Sequence, residues 1–114
     1  MKIHQQIATR NDCYRRNQVE TEKAPAERDP RYARYYRGPR GVMVHSTGAN
    51  NPTLRRYVQP DDGILGVNPN GNDWNRPGLE VAVHAFIGLT QSGEVATYQI
   101  LPWEYRSWHC GGDA

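Results

Sequence analysis

Apolar residues are sparse along this chain and gather in a few short runs. "GVMVHS" (41–46) places Val42, Met43 and Val44 together between Gly41 and Gly48, which predicts a short buried strand ending at His45. "NPTLRRYV" (51–58) predicts a helix. Asn51 suits the N-cap and Pro52 the first helical position, and Leu54, Tyr57 and Val58 fall at i, i+3 and i+4 before Pro60 ends it. "EVAVHAFIGL" (80–89) is the strongest strand pattern, with Ala82, His84 and Phe86 alternating onto one face. "GEVATYQIL" (93–101) is the next, and "TQSG" between them predicts a hairpin, with Pro102 closing its second strand.

The remainder is less regular. Residues 1–22 lack a sustained apolar period and have room for one short helix or strand. Residues 23–40, "KAPAERDPRYARYYRGPR", hold three prolines and five arginines and read as an exposed connector or insertion. Residues 60–79 are turn-rich, through "DDG", "NPNGN" and "RPG". The order β, α, β, β, with no internal repeat, predicts an α/β domain whose sheet carries a helix on one face.

Composition narrows this further. A chain of 114 residues makes one domain at most, and a hydrophobic fraction of 37% with mean hydropathy −0.86 implies a lean core. The net charge of +2, from 14 basic and 12 acidic residues, gives no reason to expect nucleic acid as a partner. Cys13 and Cys110 make no disulfide framework and are expected to be reduced thiols. "MKIHQQIATRND" has no apolar h-region, and no apolar run approaches the ~20 residues that span a bilayer. Synthesis in the cytoplasm without a signal peptide is expected, with no membrane partner. Any action outside the cell then depends on a separate release factor.

Three of the four histidines, His45, His84 and His109, lie at or near strands, and Cys110 adds a soft ligand. Catalytic zinc takes three protein ligands plus water, so composition alone permits a His45–His84–His109 site. No short-range spacing such as H-x-x-x-H supports it. For each histidine the alternative is an imidazole bonded to backbone, and alternation with Ala82 and Phe86 favours that alternative for His84.

Taken in order, "GVMVHSTGANNPTLRRYV", "VHAFIGLTQSGEVATYQILPW" and "SWHCGG" resemble the type 2 N-acetylmuramoyl-L-alanine amidases of phages and prophages, relatives of the peptidoglycan recognition proteins. The opening "ATRNDCY" is similar to the start of such prophage endolysins. The resemblance runs over nearly the whole chain except 23–40. It implies an amidase-like α/β fold, a mixed sheet with flanking helices, with residues 1–114 forming the N-terminal portion of one amidase domain that is incomplete at its C-terminus.

The implied activity is peptidoglycan hydrolysis, at the amide between N-acetylmuramic acid and L-alanine. The cofactor is Zn2+, which polarises the carbonyl and makes its bound water acidic enough to attack. On this resemblance His45 is a metal ligand, while Thr47, His84, Trp108 and His109 line the substrate groove. Trp74 and Asn75 either border the peptide site or serve loop structure. The other two zinc ligands and the general base are expected beyond Ala114, so 1–114 alone is expected to be inactive.

Two departures stand out. Val83 occupies a place where some members carry a catalytic tyrosine, and Cys110 replaces the usual small residue after the W-H histidine. The competing reading is a non-catalytic peptidoglycan-binding module that has lost the metal site.

The insertion adds a separate expectation. Arg28, Arg31, Arg34, Arg37 and Arg40 recur every third residue, interleaved with Tyr32, Tyr35 and Tyr36. A helix would scatter them by about 60° per step, whereas a polyproline-like segment would align them. Such a stripe suits an anionic wall polymer engaged through Arg31, Arg34 and Arg37, or nucleic acid, against which the weak net charge argues; the alternative is a solvated loop.

Overall fold

The computed structural model describes residues 3–33, 41–46, 53–58 and 63–107. Its centre is the hairpin that the sequence predicts. β2 (Ala85–Leu89) pairs antiparallel with β3 (Val95–Gln99), from Ala85 opposite Gln99 to Leu89 opposite Val95. The turn closes through Thr90 N–H to the Glu94 carbonyl at 2.8 Å and Gly93 N–H to the Thr90 carbonyl at 3.0 Å. Gly93 sits at φ +88°, a left-handed conformation that costs glycine nothing because it has no Cβ.

The N-terminal segment holds both a strand and a helix where the sequence had room for one. β1 (Ile3–Gln5) runs parallel to β3, with His4 opposite Tyr98, so the sheet order is β1-β3-β2. The ladder continues as Gln6 N–H donates to Gln99 at 2.9 Å and Ala8 N–H to Ile100 at 2.8 Å. The result is a small mixed sheet with short helices, an α/β arrangement. Among the described residues no helix is long and apolar enough to cross a membrane.

α1 (Asp12–Glu22) begins at Asn11, whose side-chain oxygen accepts from Cys13 N–H at 2.8 Å. The Asn11 amide also donates to the Trp74 and Val81 carbonyls, at 2.8 and 2.9 Å, tying the helix start to two later loops. This is the structural role of the "ATRNDCY" opening. At the other end Arg28 donates to the carbonyls of Glu20, Thr21 and Lys23, satisfying acceptors that a helix C-terminus leaves open.

The arginine stripe therefore does not form a polyproline rail where it is described. The Asp29 side chain accepts from Arg31 N–H at 2.9 Å, and Pro30–Ala33 winds into one helical turn, α2. Proline suits a first helical position, so this local chemistry overrides the three-residue period. Arg31 also pairs with Asp29 at 2.8 Å, and those hydrogen bonds hold the Asp29 carboxyl down at about 2. Arg34, Arg37 and Arg40 lie outside the described residues.

One sheet face is covered. Phe86, Ala96 and Tyr98 pack with Ala8, Leu54, Tyr57, Val58, Leu65 and Ile100. Leu54, Tyr57 and Val58 share a face as predicted, but the turn at Leu54–Arg56 is a single 3-10 turn. The Leu54 carbonyl accepts from both Tyr57 and Val58 N–H at 2.9 Å, and Trp74 N–H then takes the Tyr57 carbonyl at 2.9 Å. Asn51 and Pro52 lie outside the described residues. The opposite sheet face leaves Ile3, Ile87 and Val95 exposed.

Two readings of the apolar pattern need correction. Residues 41–46 form no strand and are exposed throughout, with Val42 at 91% and Val44 at 86%. An apolar run supplies side chains for a strand, but the strand itself requires a partner backbone. Both sides of β3 are already paired, with β1 and with β2. Ala82, His84 and Phe86 do not share one face either. Ala82 packs in a second cluster with Cys13 and Leu101, and it is Val83 that packs beside Phe86 in the first. The chain bends at His84, which breaks the period of two.

The second cluster is held by Asn17, which is fully buried. Its amide donates to the Cys13 and Arg106 carbonyls at 2.8 and 2.9 Å, while its oxygen accepts from Arg106 N–H at 2.7 Å. Asn17→Ala removes both the acceptor used by Arg106 N–H and the donor to its carbonyl. A loss of about 1–3 kcal/mol is expected, read from urea unfolding. An unchanged midpoint would show that this clamp contributes nothing.

Candidate functional site

The site is built at the mouth of the hairpin. The His84 carbonyl accepts from two successive donors, Ile100 N–H at 2.9 Å and Leu101 N–H at 3.3 Å. Two residues thus oppose one, the geometry of a β-bulge, which bends a strand and re-aims its neighbours. Beyond it the chain turns back, with Tyr105 N–H donating to the Pro102 carbonyl at 3.0 Å. That turn brings the Tyr105 carbonyl to 2.7 Å from His84 Nε2.

This contact determines the chemistry of the ring. A carbonyl oxygen only accepts, so Nε2 carries the hydrogen, and in the neutral imidazole Nδ1 is the acceptor. Trp103 lies alongside, its ring 6.1 Å from that of His84 and inclined by 27°. Trp103 remains 38% exposed. The tilted Tyr14–Tyr105 ring pair, 5.5 Å between centroids, supports the turn from behind.

The sequence-predicted residues are distributed unevenly. His84 is half-buried and brought against Trp103 and Tyr105. His45 is exposed on the irregular segment 41–46. Thr47, Trp108, His109 and Cys110 lie outside the described residues. Trp74 and Asn75 both make structural contacts. The Trp74 ring meets Phe86 edge-on at 5.0 Å, and the Asn75 side chain accepts from Arg10 N–H at 2.9 Å. Among the described residues no three His, Cys, Asp or Glu side chains gather where they could hold a metal ion.

Sequence reasoning missed Trp103 and the Tyr105 carbonyl. An aromatic residue directly after Pro102 was a usable signal, since the turn keeps it out of the core. The carbonyl had no side-chain signature at all.

Cys13 is a free, buried thiol whose Sγ lies 3.3 Å from the Arg106 carbonyl. Burial pushes it up to about 11 from 9.0, against the opposing charges of Arg106 and Arg16. A thiolate is the reactive form, so Cys13 should resist alkylation at neutral pH until the protein unfolds. The pH dependence follows. The unfolded thiol ionises first, so this group leaves stability unchanged below about 9 and lowers it as pH rises from 9.0 to about 11. Alkylation followed by mass spectrometry, and unfolding in wild type and Cys13→Ala across that window, check both statements.

No protein-family model, curated protein or solved structure matches this chain.

Proposed function

We propose that this protein hydrolyses peptidoglycan, cleaving the amide between N-acetylmuramic acid and L-alanine as a zinc-dependent amidase. The observation that carries the reading is the ordered set of H-S-T-G, V-H-A-F-I and W-H-C-G-G along one chain. The middle motif lies on an antiparallel hairpin with a backbone-anchored histidine at its mouth. His45 is the ligand that the motif order assigns to zinc. A catalytic zinc site needs three protein ligands, and the described residues do not complete one. What they supply is binding chemistry: an imidazole acceptor of fixed orientation at His84, with an indole beside it.

The test is release of new L-alanine N-termini from purified cell walls by protein expressed from its natural reading frame. Release should stop on chelation and return when zinc is restored. Wall binding without release, in zinc-replete protein, would replace the amidase with the non-catalytic binding module.

A further inference from the structure

We propose that Trp103 and His84 together form a subsite for an N-acetylated sugar ring. The Trp103 face would carry the ring's C–H surface, and His84 Nδ1 would accept the acetamido N–H. The inference rests on the peptidoglycan reading for the source of the sugar, and on two observations for its geometry.

The first is that the imidazole is held before any ligand arrives. The Tyr105 carbonyl at 2.7 Å takes the Nε2 hydrogen, and the bulge of Ile100 and Leu101 opposite His84 pins the backbone that carries it. An acceptor whose rotamer is already set loses little freedom on binding. The second is the indole. Trp103 stays outside both core clusters, yet lies 6.1 Å from the imidazole and inclined to it by only 27°. A tryptophan 38% exposed, with an imidazole of fixed orientation stacked beside it, offers apolar indole surface close to a hydrogen-bond acceptor.

That combination selects among ligand classes. A pyranose offers an apolar C–H face, and its acetamido group adds an N–H donor. A bare peptide amide would satisfy Nδ1 but leave the indole unused. An anionic polymer would meet no cation in this pair. Sites of this kind join an apolar wall to a few placed polar groups.

The test uses the protein with 15N-labelled histidine and the peptide-free disaccharide of N-acetylglucosamine and N-acetylmuramic acid. The free protein should show His84 protonated at Nε2. The disaccharide should shift the His84 Nδ1 and Trp103 indole signals. Trp103→Ala should weaken disaccharide binding by roughly tenfold, with the methyl signals of Leu54 and Val58 unmoved as a check on folding. His84→Phe keeps an aromatic plane and removes the acceptor, so it should erase the preference for N-acetylated over deacetylated glucosamine oligomers.

A His84 ring protonated at Nδ1, or disaccharide binding by Trp103→Ala equal to wild type, would overturn the subsite. The two readings separate cleanly. Disaccharide binding that depends on Trp103 without release of L-alanine N-termini keeps the subsite and rejects the amidase. Amidase activity with an unaltered KM in Trp103→Ala does the reverse.

Discussion

Phe86→Ala is expected to cost about 3–5 kcal/mol of folding stability, enough to unfold a large share of the molecules at 37 °C. Phe86 lies on the covered face of β2, in register with the fully buried Tyr98. Its ring stacks on Tyr57 at 4.8 Å and meets Trp74 edge-on at 5.0 Å. Those contacts fasten the 3-10 turn and the 63–74 loop to the sheet, so truncation opens a cavity where two layers meet. The hydrophobic fraction is only 37%, which leaves few other residues to fill it. Urea unfolding followed by tryptophan fluorescence measures the loss. Phe86→Leu should cost less, since it keeps most of the volume and forfeits the ring pairs. A loss for Phe86→Ala below about 1 kcal/mol would mean that the aromatic trio does not hold the layers together.

In protein expressed from its natural reading frame, His45→Ala should have the opposite profile, abolishing zinc loading and amidase activity while leaving stability within about 0.5 kcal/mol of wild type. His45 is exposed, on a segment flanked by the exposed Val44, so truncation there removes little buried area. The expected loss of function follows from coordination: a three-ligand catalytic site deprived of one imidazole binds metal far more weakly. Metal analysis of dialysed protein, together with L-alanine N-terminus release, checks both halves. Undiminished zinc in the variant would remove His45 from the metal site. A large fall in stability would instead make it a structural histidine.

Paired with Phe86→Ala, this variant separates what folds the protein from what the motif assigns to catalysis. Arg28 caps α1 and so belongs with folding.

Local features were legible in the residues. The hairpin could be read because alternation and turn chemistry act within a few residues, and Gly93 takes the one conformation for which glycine is suited. The shared face of Leu54, Tyr57 and Val58 could be read from spacing, although spacing cannot tell one 3-10 turn from a helix. Alternation favoured a backbone-bonded imidazole at His84, and its ring does meet a backbone carbonyl, although the residues could not say which.

Tertiary structure decided the rest, because those outcomes depend on partners distant in sequence. β1 exists by pairing with a strand over 90 residues away, Ile3 opposite Thr97, and nothing within residues 1–22 announces that. "GVMV" carries the composition of a strand yet forms none and stays exposed, since composition does not decide which segments the sheet takes up. Asn11 and Asn17 look like surface residues, but both are buried because their amides satisfy carbonyls of Trp74, Val81 and Arg106. The state of His84 follows the same rule. Its proton is placed by the carbonyl of Tyr105, a backbone group that every residue possesses and that only the fold can bring to the ring.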